Sequence, residues 1–269
     1  MKARIAGTEI EYDVRGKGPA VLLFHAFPLG LFMWDAQVDA LAPTHQVIRF
    51  DARGFGASPP GTSLLTMERI ADDGAALLDH LAVGQAVVGG CSMGGYAAFA
   101  FVRRHHDRLK GLLLQDTRAG ADNEEARKGR ATLAEKVRRE GAVAAADAFL
   151  PRLLAETTQK EHPEVGTRLR ARILANSAQG IADALAGLAA RADSSPTLRE
   201  IRVPTLVVCG AEDLLTPVAE SEALHKGVAG SQLEVIPRAG HLANLENASA
   251  YNVALLSFLG RFGSGAGRH

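Results

Sequence analysis

Two cysteines in 269 residues, Cys91 and Cys209, are too few for a disulfide framework and stand at no metal-ligand spacing. Both close apolar runs, so they read as small buried hydrophobes rather than redox groups. An excess of one charge is also missing: 30 Lys and Arg balance 30 Asp and Glu. A neutral chain carries no electrostatic footprint for nucleic acid or an anionic membrane. The longest uninterrupted apolar stretch, 96–102, falls far short of the roughly 20 residues that span a bilayer. The opening MKARIAGTEIEYDVRG lacks the apolar segment of a secretory signal. These absences lead to the expectation of a cytoplasmic protein with no nucleic-acid or membrane partner.

What is present is an ordinary globular composition, 47% hydrophobic and 22% charged. Short β-branched or apolar runs at 10–14, 20–24, 47–50, 86–88 and 112–114 alternate with helical patterns at 67–81 and 96–104. Apolar runs of this kind suit strands buried on both faces of a parallel sheet, joined by helical crossovers. The pattern resumes with strands at 205–209 and 233–236 and helices at 218–225 and 248–262.

Between the two halves, 118–200 has no convincing strand. Leu and Ile at mixed three- and four-residue intervals predict several short helices, punctuated by Gly141, Pro151, Pro163 and Gly180. The expected organisation is therefore a core of 1–117 and 201–262, a helical insertion at 118–200, and a flexible Gly-rich tail at 263–269. The many arginines of the insertion read as a solvated face, with room for one to reach a substrate.

The strongest local signal is Gly90-Cys91-Ser92-Met93-Gly94. It sits where a predicted strand turns sharply into a predicted helix, the setting that lifts a Ser hydroxyl clear of the surface. Such a hydroxyl needs a base. In a sheet of this kind the partners follow the Ser in the order acid, then His. His25, His45 and His80 precede Ser92. His105, His106 and His162 precede any acid after the late strand, His225 lies in a helical pattern, and His269 ends the tail. His241 remains, in a loop after the strand at 233–236. The acid is expected at the end of strand 205–209, where Asp213 is the choice, with Glu212 its neighbour and Asp116 a distant rival. Oxyanion donors are expected from the Met93 amide and from the loop His25-Ala26-Phe27-Pro28. His25 reads as a brace for that loop. His25 and Trp34 are also candidates for the substrate pocket, although Trp34, like Phe27, is equally suited to packing.

With these motifs in order, the chain resembles the α/β-hydrolase superfamily, within its small esterases, lactonases and cofactor-free haloperoxidase-like perhydrolases. His25-Ala26-Phe27-Pro28 resembles the His-Gly-x-Pro oxyanion loop. Asp51-Ala52-Arg53-Gly54-Phe55-Gly56-Ala57-Ser58 resembles the D-x-R-G-x-G-x-S loop, and Gly90–Gly94 the nucleophile elbow. The resemblance implies a mostly parallel eight-stranded sheet flanked by helices with a helical cap, the triad Ser92–Asp213–His241, and oxyanion donors from Phe27 and Met93. Ser rather than Asp at the elbow points to acyl-enzyme chemistry.

The expectation is a serine hydrolase of a small ester or lactone that needs neither cofactor nor metal. Perhydrolysis and carbon–carbon bond hydrolysis are its alternatives within the enzyme class, and a non-catalytic ligand receptor is the alternative outside it. Ala26 stands where the family pattern has Gly, which would strain a left-handed backbone there. Oligomeric state is not indicated.

Overall fold

The computed structural model describes residues 1–262. The expected Gly-rich tail, 263–269, lies outside the described residues. Eight strands form one sheet: β1 (Lys2–Ile5), β2 (Thr8–Arg15), β3 (Ala20–Phe24), β4 (Gln46–Phe50), β5 (Ala86–Cys91), β6 (Leu109–Gln115), β7 (Thr205–Gly210) and β8 (Gln232–Ile236). Their spatial order is β1-β2-β4-β3-β5-β6-β7-β8. β1 and β2 pair antiparallel, β2 meets β4 antiparallel, and the remaining pairings are parallel. The sheet is therefore the mostly parallel, eight-stranded one expected.

The alternation of side chains along each strand builds two cores. From β3, Ala20, Leu22 and Phe24 join one cluster and Val21 and Leu23 the other. The first cluster is closed by α2 (Met67–His80), α3 (Met93–Arg104) and α9 (Val218–Gly227), through residues such as Ile70, Ala97 and Leu224. The opposite face is closed by α1 (Asp35–Leu41) and α11 (Ala248–Leu259), through Val38, Tyr251 and Phe258. The first ten residues of α3 are all buried, which explains why its sequence is apolar on every side rather than along a stripe. Local signals start the exposed helices: Thr66 accepts a hydrogen bond from the Arg69 amide at the N-terminus of α2.

Five helices lie in the chain between β6 and β7: α4 (Glu124–Glu140), α5 (Val143–Leu153), α6 (Glu156–Glu161), α7 (Pro163–Leu174) and α8 (Ala178–Ala190). Asn123 caps α4 through the Ala126 amide, with Glu124 and Glu125 in its first turn and Arg138 and Arg139 in its last, all favourable to the helix dipole. α4 packs on α8 and α5 on α7. A short α10 (Ala243–Glu246) precedes α11. Three elements have no counterpart in the sequence reading: β1, α1 and the four-residue α10. β1 has only four residues, and α1 buries only Gln37, Val38 and Leu41 in seven. None is long enough for a periodic signal.

From β3 the chain steps outward to β4 and then back across to β5 on β3's other side. A reversal of this kind opens a crevice beyond the carboxyl ends of the strands. The segments leaving β3, β5, β7 and β8 all emerge at that edge, and they carry Phe27, Ser92, Asp213 and His241.

Candidate active site

Ser92 joins β5 to α3 with φ 54° and ψ −111°, a conformation non-glycine residues rarely adopt and that costs on the order of 1–3 kcal/mol. Neighbouring chain holds it there. The Ser92 amide donates to the Gln115 carbonyl at 2.9 Å, and the Thr117 hydroxyl donates to the Ser92 carbonyl at 3.0 Å. The two motif glycines are required by proximity. A Cβ on Gly90 would lie 2.0 Å from the Gly94 carbonyl oxygen, and one on Gly94 would lie 2.2 Å from that of Phe24. Met93 opens α3, so its amide is among those with no partner inside the helix.

Asp213 and His241 are bonded to each other. His241 Nδ1 lies 2.8 Å from Asp213 Oδ2, and both side chains are buried. The Thr216 hydroxyl donates to Asp213 Oδ2 at 2.5 Å, and the amides of Leu215 and Thr216 donate to Oδ1 at 2.7 and 3.1 Å. Burial by itself would raise the Asp213 pKa. The adjacent His241 ring and the Thr216 bonds outweigh it and hold the carboxyl below its ordinary range. Glu212 points elsewhere, its carboxylate accepting from the Thr157 hydroxyl at 2.8 Å. Asp116, the other rival, is wholly buried and accepts from the Gly210 amide at 2.8 Å. Burial, then the Asp213 charge, push its pKa well up, and with the Gln115 side chain donating to its other oxygen at 3.1 Å it braces the strand end before the Asp213 turn. Ser92 lines the same cavity as His241. Among the described residues its hydroxyl makes no hydrogen bond to the imidazole or to any other group.

The loop after β3 is held from beneath. His25 Nε2 accepts from the Ala52 amide at 3.0 Å while Nδ1 lies 2.9 Å from the Ala26 carbonyl. The Nδ1-H tautomer of a neutral ring satisfies both contacts, and burial lowers the His25 pKa to match. Ala26 is not among the positive-φ residues, so the departure from Gly brings no left-handed strain. The Phe27 amide has no hydrogen-bond acceptor among the described residues. Phe27 and Met93 both line the cavity.

The other two pocket candidates are corrected: neither His25 nor Trp34 is part of the cavity wall. His25 is consumed by bracing the loop. Trp34 is fully buried beneath it, in the core cluster with Val38 and Tyr251.

The cavity encloses about 360 Å³, toward the small end of ligand sites. Its walls include Tyr96 and Leu215 from the core and Leu133, Phe149 and Leu185 from the insertion. Arg118, Arg130 and Arg152 line it too, along with Asp122. The expectation of a solvated arginine face therefore fails for Arg118 and Arg130, which are half-buried, and for Arg191, whose side chain is only 2% exposed, whereas Arg152 is exposed as expected. The reason is Asp122. Its wholly buried carboxylate draws in Arg118 at 2.8 Å, Arg130 at 2.5 Å and Arg191 at 2.7 Å. Among the described residues no group of three His, Cys, Asp or Glu is placed to hold a metal ion, and no helix is long and apolar enough to cross a membrane.

Comparison with known proteins follows this geometry. A family model described as the alpha/beta hydrolase fold matches residues 19–248. The chain belongs to the α/β-hydrolase family. A curated relative, 3-oxoadipate enol-lactonase 2 of Acinetobacter baylyi, is 32% identical over 244 residues, spanning 91% of this chain and 90% of its own. Among solved structures, a thermophilic esterase from Thermogutta terrifontis, with malate bound, superposes with a TM-score of 0.95. It is 42% identical, and the match covers 98% of this chain and 99% of the esterase. The enol-lactonase from Burkholderia xenovorans LB400 gives 0.90 at 32% identity, over 97% and 100%. These relatives make the chain a hydrolase.

Two further residues position the site in this α/β hydrolase, and the sequence reading did not single them out. Glu246 Oε1 accepts from the amides of Gly240 and Leu242, which flank His241, at 2.9 and 3.2 Å. Its Oε2 accepts from the Ala155 amide at 2.7 Å and the Thr158 hydroxyl at 2.6 Å in the insertion. Asn176, between α7 and α8, donates to the Pro28 carbonyl at 2.7 Å and accepts from the Gly56 amide at 2.8 Å. Glu246 carries no motif. The one signal available was its place five residues after His241, within reach of that loop's amides.

Proposed function

We propose that this α/β hydrolase is a serine hydrolase that cleaves a small carboxylic ester or lactone through an acyl-enzyme intermediate. The observation that carries the reading is the buried Asp213–His241 pair opening on the same small cavity as Ser92, with Phe27 and Met93 also lining it. His241 takes the Ser92 proton as the hydroxyl attacks the carbonyl carbon. Asp213 fixes the ring with Nδ1 protonated, which leaves Nε2 free as the base, and offsets the positive charge of the imidazolium without taking the proton. The Phe27 and Met93 amides receive the negative charge that develops on the carbonyl oxygen, a contribution of roughly 3–4 kcal/mol per donor in enzymes of this type. The imidazolium then protonates the departing alkoxide, and the acyl group stays on Ser92. Water, deprotonated by the same ring, releases the acid.

Helices α4–α8 act as a cap, supplying much of the cavity wall and limiting the size of substrate. The names of the enol-lactonase and esterase relatives support this substrate class. Steady-state hydrolysis of a p-nitrophenyl short-chain ester tests it. Ser92→Ala is expected to lower kcat/KM by several orders of magnitude and to abolish labelling by a fluorophosphonate. Activity of wild-type size in that variant would remove Ser92 from the mechanism.

A further inference from the structure

The cavity wall is unbalanced in charge. Among the described residues, the formal charges lining it are Arg118, Arg130 and Arg152 against the single carboxylate of Asp122. Asp122 is already committed, its two oxygens shared by Arg118, Arg130 and Arg191. Arg191 stands behind the wall, its guanidinium stacked 4.2 Å from the centre of the Tyr96 ring, so it adds positive charge to the cavity side and removes none. The Nε–H of Arg118 is buried with no hydrogen-bond acceptor. Arg152, at the end of α5, is exposed and borders the cavity, and it makes neither an ion pair nor a hydrogen bond with any described residue. A buried donor such as the Arg118 Nε–H is costly unless an acceptor completes its pairing, and the exposed Arg152 offers a further uncommitted cation on the cavity's border.

We infer that the cavity is built for an ester or lactone that itself carries a carboxylate, the anionic group seated against Arg152 and Arg118 while the reacting carbonyl faces Ser92. This deepens the hydrolase reading above and rests on it. A guanidinium matches a carboxylate with two parallel N–H donors, and in a partly enclosed site that pairing is stronger than in water. Arg130 is the less available donor because it is bound to Asp122 at 2.5 Å, and its charge serves the field of the wall. The lining also includes the apolar side chains Leu133, Phe149 and Leu188, which suit the few methylene groups separating the two carbonyl carbons of a short dicarboxylic half-ester. A neutral substrate of equal size would fill the same volume and leave the buried Arg118 donor without an acceptor.

The test uses a charge switch at constant shape. Hydrolysis of methyl hydrogen glutarate is compared with that of methyl glutaramate, where a neutral carbamoyl group replaces the carboxylate. The expected result is a preference for the anion of about tenfold or more in kcat/KM, carried mainly by KM. Arg152→Gln and Arg118→Gln should each reduce that ratio by roughly tenfold. Arg170→Gln, at a residue paired with Asp147 outside the cavity, should leave the ratio in place. A wild-type ratio of one or below overturns the inference while leaving the hydrolase reading intact, and so does a ratio unmoved by both cavity variants.

Binding gives a readout that needs no turnover. Calorimetric titration with glutarate should show saturable binding, weakened at least tenfold in Arg152→Gln, whereas glutaramide should not bind. That pattern in a protein that cleaves no ester would uphold the anion site and reject the hydrolase reading. Equal behaviour of glutarate and glutaramide would reject the anion site.

Discussion

Asp213 and Glu212 are neighbours in the chain that differ in what they touch. Asp213 receives His241 and the Thr216 hydroxyl, whereas Glu212 receives Thr157 from α6. The two carboxylates should therefore separate cleanly in kinetics. Asp213→Asn is expected to lower kcat by roughly 10⁴-fold, since the ring loses the group that sets its tautomer. Glu212→Gln should stay within about twofold of wild type, as expected for a residue outside the reacting groups. Steady-state measurement on one ester would check both. The same scale explains what was readable beforehand. Ser92 sits in a motif whose glycines are forced by contacts of 2.0 and 2.2 Å, and elimination among nine histidines left His241 at a strand end. Trp34 was misplaced because an aromatic near the oxyanion loop gives no sign of which side of that loop it packs on.

At the scale of elements, β-strands and long helices were legible because burial on a sheet writes itself as apolar runs and helical spacing. β1 and α1 were not, each spanning only about two periods. The links between elements were also hidden. Glu246 lies at the end of a four-residue helix, yet it spans the His241 loop and the start of α6. Nothing in local sequence marks a carboxylate whose four donors come from residues 155, 158, 240 and 242. Burial raises its pKa despite those donors. In Glu246→Gln one oxygen becomes an amide NH₂ that faces donors, so a loss of about 2 kcal/mol is expected. Thermal denaturation should register it as a fall of roughly 5 °C. The same variant should lose activity on esters, because the amides released flank His241.

For the molecule as a whole, Asp122 ties the two ends of the insertion together, joining Arg118 after β6, Arg130 in α4 and Arg191 after α8. Burial raises this carboxyl, but the Arg130 and Arg191 contacts outweigh it and bring it from 3.8 to about 2. A depressed carboxylate pKa stabilises the fold above the unfolded-state value, and that contribution disappears as pH falls toward the folded-state value. The window here runs from about pH 4 down to about pH 2, and the amount is roughly 2 kcal/mol. Urea midpoints at pH 6 and pH 3 should differ by more in the wild type than in Asp122→Asn. The variant should start lower by about 3–5 kcal/mol, because it leaves buried guanidinium groups unpaired. The arginines were read as solvent-facing because composition alone cannot reveal that a single buried acid collects them.

The seat of Gly94 on the Phe24 carbonyl has a broader bearing. Phe24 ends the strand that leads into the loop bearing the Phe27 amide, and Gly94 stands two residues past Ser92, so hydroxyl and amide are referenced to each other through bare main chain. Mutation cannot adjust that spacing gradually, since even one added methyl group would drive the strand and helix apart. Change in what this molecule accepts is left to the side chains that line the cavity, many of them on the helices of the insertion, which can be exchanged without moving that main-chain frame.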